Sequence, residues 1–246
     1  MSRLGRLRAE SRAAARAFLR RRTAVFFTFF FPLIIVVIFG VLVQTRPGGG
    51  GLFTESPAYY VPGYLAVVVL FTPLSRVGSE VARHRAGNRF EKLATTPLTR
   101  PEWLLAQTLV NVVVIGLAGI LLLALMVVLT GAQIELSPLL IPFVVLGVGL
   151  FCGVGAMLGS LADSQDGVIS ASNAIALPLL FLSETFVPPE LLPGWFPTWL
   201  SPLTYFSRGV RAATTGEGGA ITPLAVLTVC AVVGFLVGAW LLPQTD

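Results

Sequence analysis

Lysine occurs once in the 246 residues, histidine once and cysteine twice, and charged side chains make up only 12% of the chain. Each scarcity excludes something. A phosphate-binding loop of the G-x-x-x-x-G-K-[ST] type needs a lysine followed by a hydroxyl residue. The sole lysine, Lys92, stands between Glu91 and Leu93, so this chain cannot bind ATP by that route. The single histidine, His84, lies in a basic stretch without a nearby cysteine, which leaves no zinc-ligand set and no His-dependent triad; a solvated loop histidine is the expectation. Cys152 and Cys230 both fall in apolar runs, where packing is the expected role rather than a disulfide or a metal.

The missing charges are missing in blocks. Residues 23–45, 56–75, 103–134, 136–162, 167–183 and 218–245 contain no Asp, Glu, Lys or Arg. At about 1.5 Å rise per residue, ~20 such residues cross the ~30 Å hydrocarbon core of a bilayer. The chain therefore reads as an all-α integral membrane protein with six transmembrane helices, over about 24–44, 58–77, 103–129, 138–162, 168–186 and 221–242. Its net charge of +5 is placed asymmetrically: segments 1–22, 76–102, 163–166 and 243–246 hold fourteen of the seventeen Lys and Arg, leaving Arg46, Arg208 and Arg211 on the other side. Positive-inside orientation then puts both termini in the cytoplasm of a multi-pass cell-membrane protein, and the basic surplus needs no nucleic acid to explain it. A basic region of 22 residues and no cleavage pattern at Gln44-Thr45-Arg46-Pro47 favour a retained first span over a secretory signal. An organellar transit peptide is the lesser reading.

Arg8, Arg12, Arg16 and Arg20 recur every four residues, with Leu4, Leu7, Ala14 and Phe18 on another face. That pattern predicts a basic amphipathic helix over 1–22 in the headgroup layer, facing anionic membrane lipid. Ser56-Pro57, Ser137-Pro138 and Thr222-Pro223 are read as N-cap hydroxyls before a first-turn proline. Thr99-Arg100-Pro101-Glu102 is read as a capping box. Gly149 and Gly153, with Gly155 and Gly159, make two pairs at four-residue spacing on the fourth span, which predicts a close helix contact, more commonly within one chain than between copies. Segment 191–207 is a seventh charge-free run but holds Pro193, Pro197 and Pro202 with Trp195 and Trp199, so 187–217, with Pro188 near its start, is expected as an external re-entrant helical hairpin between spans five and six.

Chemistry at mid-membrane depth has few candidates. The spans offer Asn111, Asn173 and scattered hydroxyls, for which interhelical hydrogen bonding is the expected role, and no chain of ionisable groups for proton pumping or proteolysis. Glu184 is the exception: about 17 residues from Asp166, it is expected ~26 Å up the fifth helix, as a hydrated carboxylate at the outer interface or as a gate. The cytoplasmic loop 78–102 mixes Glu80, Arg83, Arg85, Arg89, Glu91, Lys92 and Arg100 with Val81, Phe90 and Leu93, a composition suited to docking in a groove of a soluble partner.

The whole pattern resembles the permease subunits of type-2 ABC exporters. The basic helix followed by Phe31-Pro32-Leu33 and ending Ile38-Phe39-Gly40 is similar to that family's first span. Asn88 to Leu98 resembles its cytoplasmic G-T-x-E-x-L-x-x-x-P-L signature, with Asn88-Arg89 where Gly-Thr is usual and Pro97 at the signature proline. Phe181-Leu182-Ser183-Glu184 through Pro188, then Leu192-Pro193-Gly194-Trp195 and Ser201-Pro202-Leu203-Thr204-Tyr205 to Arg211, resembles its S-G-x-F-x-P … L-P … P-L-T-Y … R run, with Glu184 in place of glycine. The resemblance implies a dimer, with itself or a related permease. It implies a separate ABC ATPase subunit that supplies ATP and Mg, while this chain holds no cofactor and is not itself an enzyme. It further implies that the N-terminal helix and the 80–98 segment receive the ATPase stroke, that spans two and five line the path, and that the hairpin caps the exit. The apolar spans favour a lipid-like, amphiphilic or drug-like cargo. The rivals are an ATP-independent secondary transporter or channel, for which coupling residues or an inverted repeat are wanting, and a non-transporting membrane assembly factor.

Overall fold

The computed structural model describes residues 2–38, 56–187, 197–216 and 219–243, and these are helical, with no strand among them. In chain order the helices are α1 (Arg3–Leu19), α2 (Arg22–Val36), α3 (Val61–Ala86, entered through a 3-10 turn at Pro57–Tyr60), α4 (Arg89–Ala94), α5 (Arg100–Thr130), α6 (Leu140–Leu161), α7 (Gln165–Phe181), α8 (Pro202–Thr215) and α9 (Ile221–Leu241). Among the described residues four helices are long and apolar enough to cross a membrane: Pro57–Ala86, Arg100–Thr130, Leu140–Leu161 and Ile221–Leu241. The first expected span begins in α2 and its residues past Ile38 lie outside the described ones, while the fifth corresponds to the 17-residue α7.

Two boundaries differ from the sequence expectation. The second apolar helix does not stop near 77: α3 runs to Ala86, because Arg76 to Arg85 still have good helix formers and one face that packs inward through Val77, Val81 and Ala82. Glu80 and Arg85 are therefore helical, not loop, residues. The chain then turns at Gly87 and Asn88, the latter left-handed at φ 50°. At the other end α7 stops at Phe181, so Glu184 is not on a helix; it too is left-handed, at φ 57°.

Start signals fared unevenly. The capping box at α5 forms in both directions, Glu102 N–H donating to Thr99 Oγ1 at 3.4 Å and Thr99 N–H to Glu102 Oε2 at 3.0 Å. The Ser/Thr-Pro signals place proline in or just before a first turn, but the hydroxyls do not all cap. Ser56 makes no capping bond, Ser137 accepts from Leu139 N–H at 3.3 Å, and Thr222 is inside α9, whose cap is Ala220.

Helix α6 is the centre of the bundle, and its glycines explain why. A Cβ on Gly153 would collide with the Gly234 carbonyl of α9, and one on Gly159 with the Gly78 carbonyl of α3. The small-residue pairs thus let α6 touch α3 on one side and α9 on the other within a single chain. Helix α3 is enclosed along Val61–Leu70, every residue of which is buried, whereas α7 buries only Val168, Ser172, Ala176 and Leu180 and leaves Ser170, Asn173 and Leu177 exposed.

Candidate functional site

At one end of the bundle, the end of α3, the start of α5 and all of α4 meet in an aromatic cluster. The ring centroids of His84, Phe90 and Trp103 stand 5.4 Å, 5.4 Å and 5.5 Å apart pairwise. Edge-on packing of this kind fixes ring positions as well as burying area. His84 is thus not a solvated loop histidine: its Nδ1 lies 2.8 Å from the Glu80 carbonyl oxygen and its ring is held between helices. Phe90 is buried too, so it anchors α4 to its own chain and leaves the outward surface to its neighbours. Arg89, Glu91, Lys92, Thr95, Thr96 and Pro97 are exposed around it, with Leu93 half-buried. Thr95 and Thr96 hydroxyls donate to the carbonyls of Lys92 and Leu93 at 2.8 and 2.7 Å, closing off the short helix. Beside this surface runs a groove of about 620 Å³, lined by Leu93, Leu98, Trp103, Leu236 and Trp240 among others.

Carboxylates of this end grip the N-terminal helices. Glu102 receives Arg6 in a fork, Nε to Oε2 at 3.2 Å and Nη2 to Oε1 at 2.7 Å. Glu80 receives Arg21 at 3.0 Å and Arg83 at 3.1 Å. Arg76 donates to Asn111 Oδ1 at 3.1 Å while its guanidinium lies 4.4 Å over the Phe18 ring. Ala14 and Phe18 pack on Val110 and Val114 of α5. Helix α1 is therefore docked along α5, with Arg8, Arg12, Arg16 and Arg20 all on its exposed side. Burial, with Glu80 nearby, pushes the Glu10 carboxyl above the ordinary carboxylate range.

Two arginines close helix ends. Arg85 donates to the Ala162 carbonyl at 2.8 Å beyond α6, and Arg100 to the Leu242 carbonyl at 2.7 Å beyond α9. Cations at C-terminal carbonyls satisfy orphan acceptors and oppose the helix dipole. Of the residues expected to face a partner, Glu91, Lys92 and Pro97 are exposed and Leu93 is half-buried, while Glu80, Arg85 and Phe90 are engaged within the chain. The roles of Arg6, Arg21 and Arg76, and the grip of Glu102 on Arg6 beyond its capping box, went unread in the sequence. The position of Arg76, the first charge after the apolar run 56–75, was the available signal.

At the opposite end, Glu184 is 2% exposed and so not the hydrated carboxylate expected there. Arg208 of α8 donates to it twice, Nε to Oε2 at 2.8 Å and Nη2 to Oε1 at 2.7 Å, and Arg211 donates to its backbone carbonyl at 3.2 Å. Arg211 also lies 4.1 Å over the Tyr59 ring. The bond to Glu184 raises the pKa of Arg208. Thr185 bridges the hydroxyls of Ser183 and Ser207 at 2.5 and 2.9 Å. A turn after α7 is thereby clamped to α8. Tyr205 is half-buried beside a shallow cavity of about 390 Å³ with Arg208, Arg211 and Thr222, and Pro202 opens α8. Pro188, Pro193 and Trp195 lie outside the described residues.

A family model described as ABC-2 type transporter matches residues 7–214. The chain is similar to a daunorubicin resistance ABC transporter permease protein of Streptomyces coeruleorubidus, 27% identical over 69% of this chain and 63% of that protein. It is also similar to a probable multidrug ABC transporter permease of Escherichia coli (strain K12), 24% identical over 61% of this chain and 41% of that protein. The matched stretch thus spans less than two thirds of either relative's length.

Proposed function

The chain belongs to the ABC-2 type transporter family, and on that premise we propose that it is the six-span permease subunit of an exporter whose work is supplied by a separate ATPase. Both termini lie in the cytoplasm of this cell-membrane protein, spans one and five being α2 with its continuation and α7. The cargo is amphiphilic or drug-like, in keeping with the names of the two relatives. The observation that carries the reading is the exposed rim of Arg89, Glu91, Lys92 and Pro97 on a helix locked by His84, Phe90 and Trp103. A load applied to a rim that cannot swivel is transmitted to α3 and α5, and through Glu80 and Glu102 to α1 and α2.

In a dimer, the open face of α7, with Ser170 and Asn173, is the surface left to line a path between copies, since α3 is enclosed by its own chain. ATP and Mg belong to the ATPase partner. The turn at Glu184, the start of α8 with Pro202 and Tyr205, and the rest of the hairpin then cap the outer exit.

The test is reconstitution of the chain with its ATPase partner, which the neighbouring reading frame is expected to encode. Glu91→Lys should leave the complex assembled in the bilayer and hydrolysing ATP, with cargo transport uncoupled from hydrolysis. Normal coupling in that variant, or cargo movement by the chain without any ATPase, would overturn the reading.

A further inference from the structure

The docked α1 leaves a groove of about 810 Å³ between itself, α2 and α5. Its floor is apolar: Leu109, Val113 and Leu117 of α5 lie along it with exposures of 42%, 62% and 56%, and Phe29 closes its α2 side. Its rim is cationic. Arg8 and Arg12, one turn apart, line the groove, and among the described residues neither has an ion-pair or hydrogen-bond partner. Between them Ser11 also lines it, and its hydroxyl oxygen is buried without a hydrogen-bond partner. A buried, unsatisfied hydroxyl costs free energy unless something supplies an acceptor or donor.

We propose that this groove binds one anionic phospholipid, with its phosphate on Arg8 and Arg12, an ester oxygen reaching Ser11, and an acyl chain lying on Leu109, Val113 and Leu117. Helix α1 runs along α5 from the Arg6–Glu102 pair to the packing of Ala14 and Phe18 on Val110 and Val114. Arg12 therefore stands ~9 Å along α5 from that pair and Leu117 ~22 Å, so the apolar floor continues ~13 Å past the two arginines. An acyl chain that starts beneath Arg8 and Arg12 has that length of floor to lie on. A second copy fits poorly, because a two-fold contact through this face brings two cationic rims together and, among the described residues, the groove lining holds no acidic one to offset them. The inference rests on membrane insertion alone, not on what the chain transports.

Native mass spectrometry of the full-length chain, exchanged against mixed phosphatidylglycerol and phosphatidylcholine micelles, tests it. Wild type should retain one phosphatidylglycerol in preference to phosphatidylcholine. Arg8→Gln with Arg12→Gln should lower that preference roughly thirtyfold, the combined effect of two arginines at a membrane surface. Arg16→Gln with Arg20→Gln, exposed on the same helix but outside the groove, should leave it unchanged. Val113→Trp, which fills the floor without touching the charges, should lose the retained lipid. Equal effects of the two arginine pairs would mean a diffuse charged film. Retention by Val113→Trp, or equal retention of both lipids by wild type, would likewise overturn the proposal. So would a dimer that Val113→Trp dissociates, which would assign the groove to a second copy.

Discussion

Glu184 accepts from both Nε and Nη2 of Arg208 while its own backbone sits at φ 57°. Left-handed backbone costs a residue with a Cβ roughly 1–2 kcal/mol, and a carboxylate nine-tenths enclosed needs a cation. The two facts belong together: the side chain that makes the conformation costly also provides the ion pair that fastens the turn to α8. Glycine, the usual residue at this place in the resembled pattern, would give the backbone freely and forgo the fastening.

Substitutions at this position separate the two effects. Glu184→Ala keeps the backbone penalty and abandons Arg208, whereas Glu184→Gly abandons Arg208 alone. Thermal unfolding in detergent should rank wild type above Gly and Gly above Ala, the last step by about 1 kcal/mol. An Ala variant as stable as the Gly variant would refute the link between φ and residue choice.

The central helix should tolerate side chains only where space exists. Gly153→Val and Gly159→Val drive a branched side chain into the backbone of α9 and α3 respectively, so both should fail to give a monodisperse peak in size-exclusion chromatography. Gly149→Ala, with nothing within 4 Å of its Cβ position, should elute like wild type.

Loss of the Arg6–Glu102 fork should loosen α1 without unfolding the bundle. The pair lies at the water-facing edge of the bundle, where solvent screens it, so its loss should affect the docking of α1 rather than the stability of the whole. Arg6→Ala should increase trypsin cleavage within residues 3–20 severalfold, while the helical signal and elution volume stay unchanged.

The Glu10 carboxyl, raised by burial and by Glu80, binds its proton more tightly folded than unfolded. Its stabilising contribution is full below the ordinary glutamate range and disappears as pH rises through the elevated value. At neutral pH the ionised group therefore opposes docking of α1. Glu10→Gln should raise the melting temperature at pH 7–8 relative to wild type and leave it nearly unchanged at pH 4; a variant less stable at neutral pH would contradict this.

The sequence by itself determined that the chain is helical and membrane-embedded, because charge-free runs of bilayer length admit few other solutions when every backbone group must be satisfied internally. It also determined the capping box at Thr99 and Glu102, whose partners are three residues apart. Only the tertiary structure decided where the charges go. Arg6 meets Glu102, Arg21 meets Glu80, Arg76 meets Asn111 and Arg208 meets Glu184 across 96, 59, 35 and 24 residues respectively. No local periodicity encodes such distances, and a mixed-charge segment reads the same whether its arginines face water or a carboxylate on another helix. Phe90 and His84 were equally ambiguous, since an aromatic residue on a short helix can serve as an outward anchor or an inward one. The packing of α4 against α3 and α5 made it the inward one.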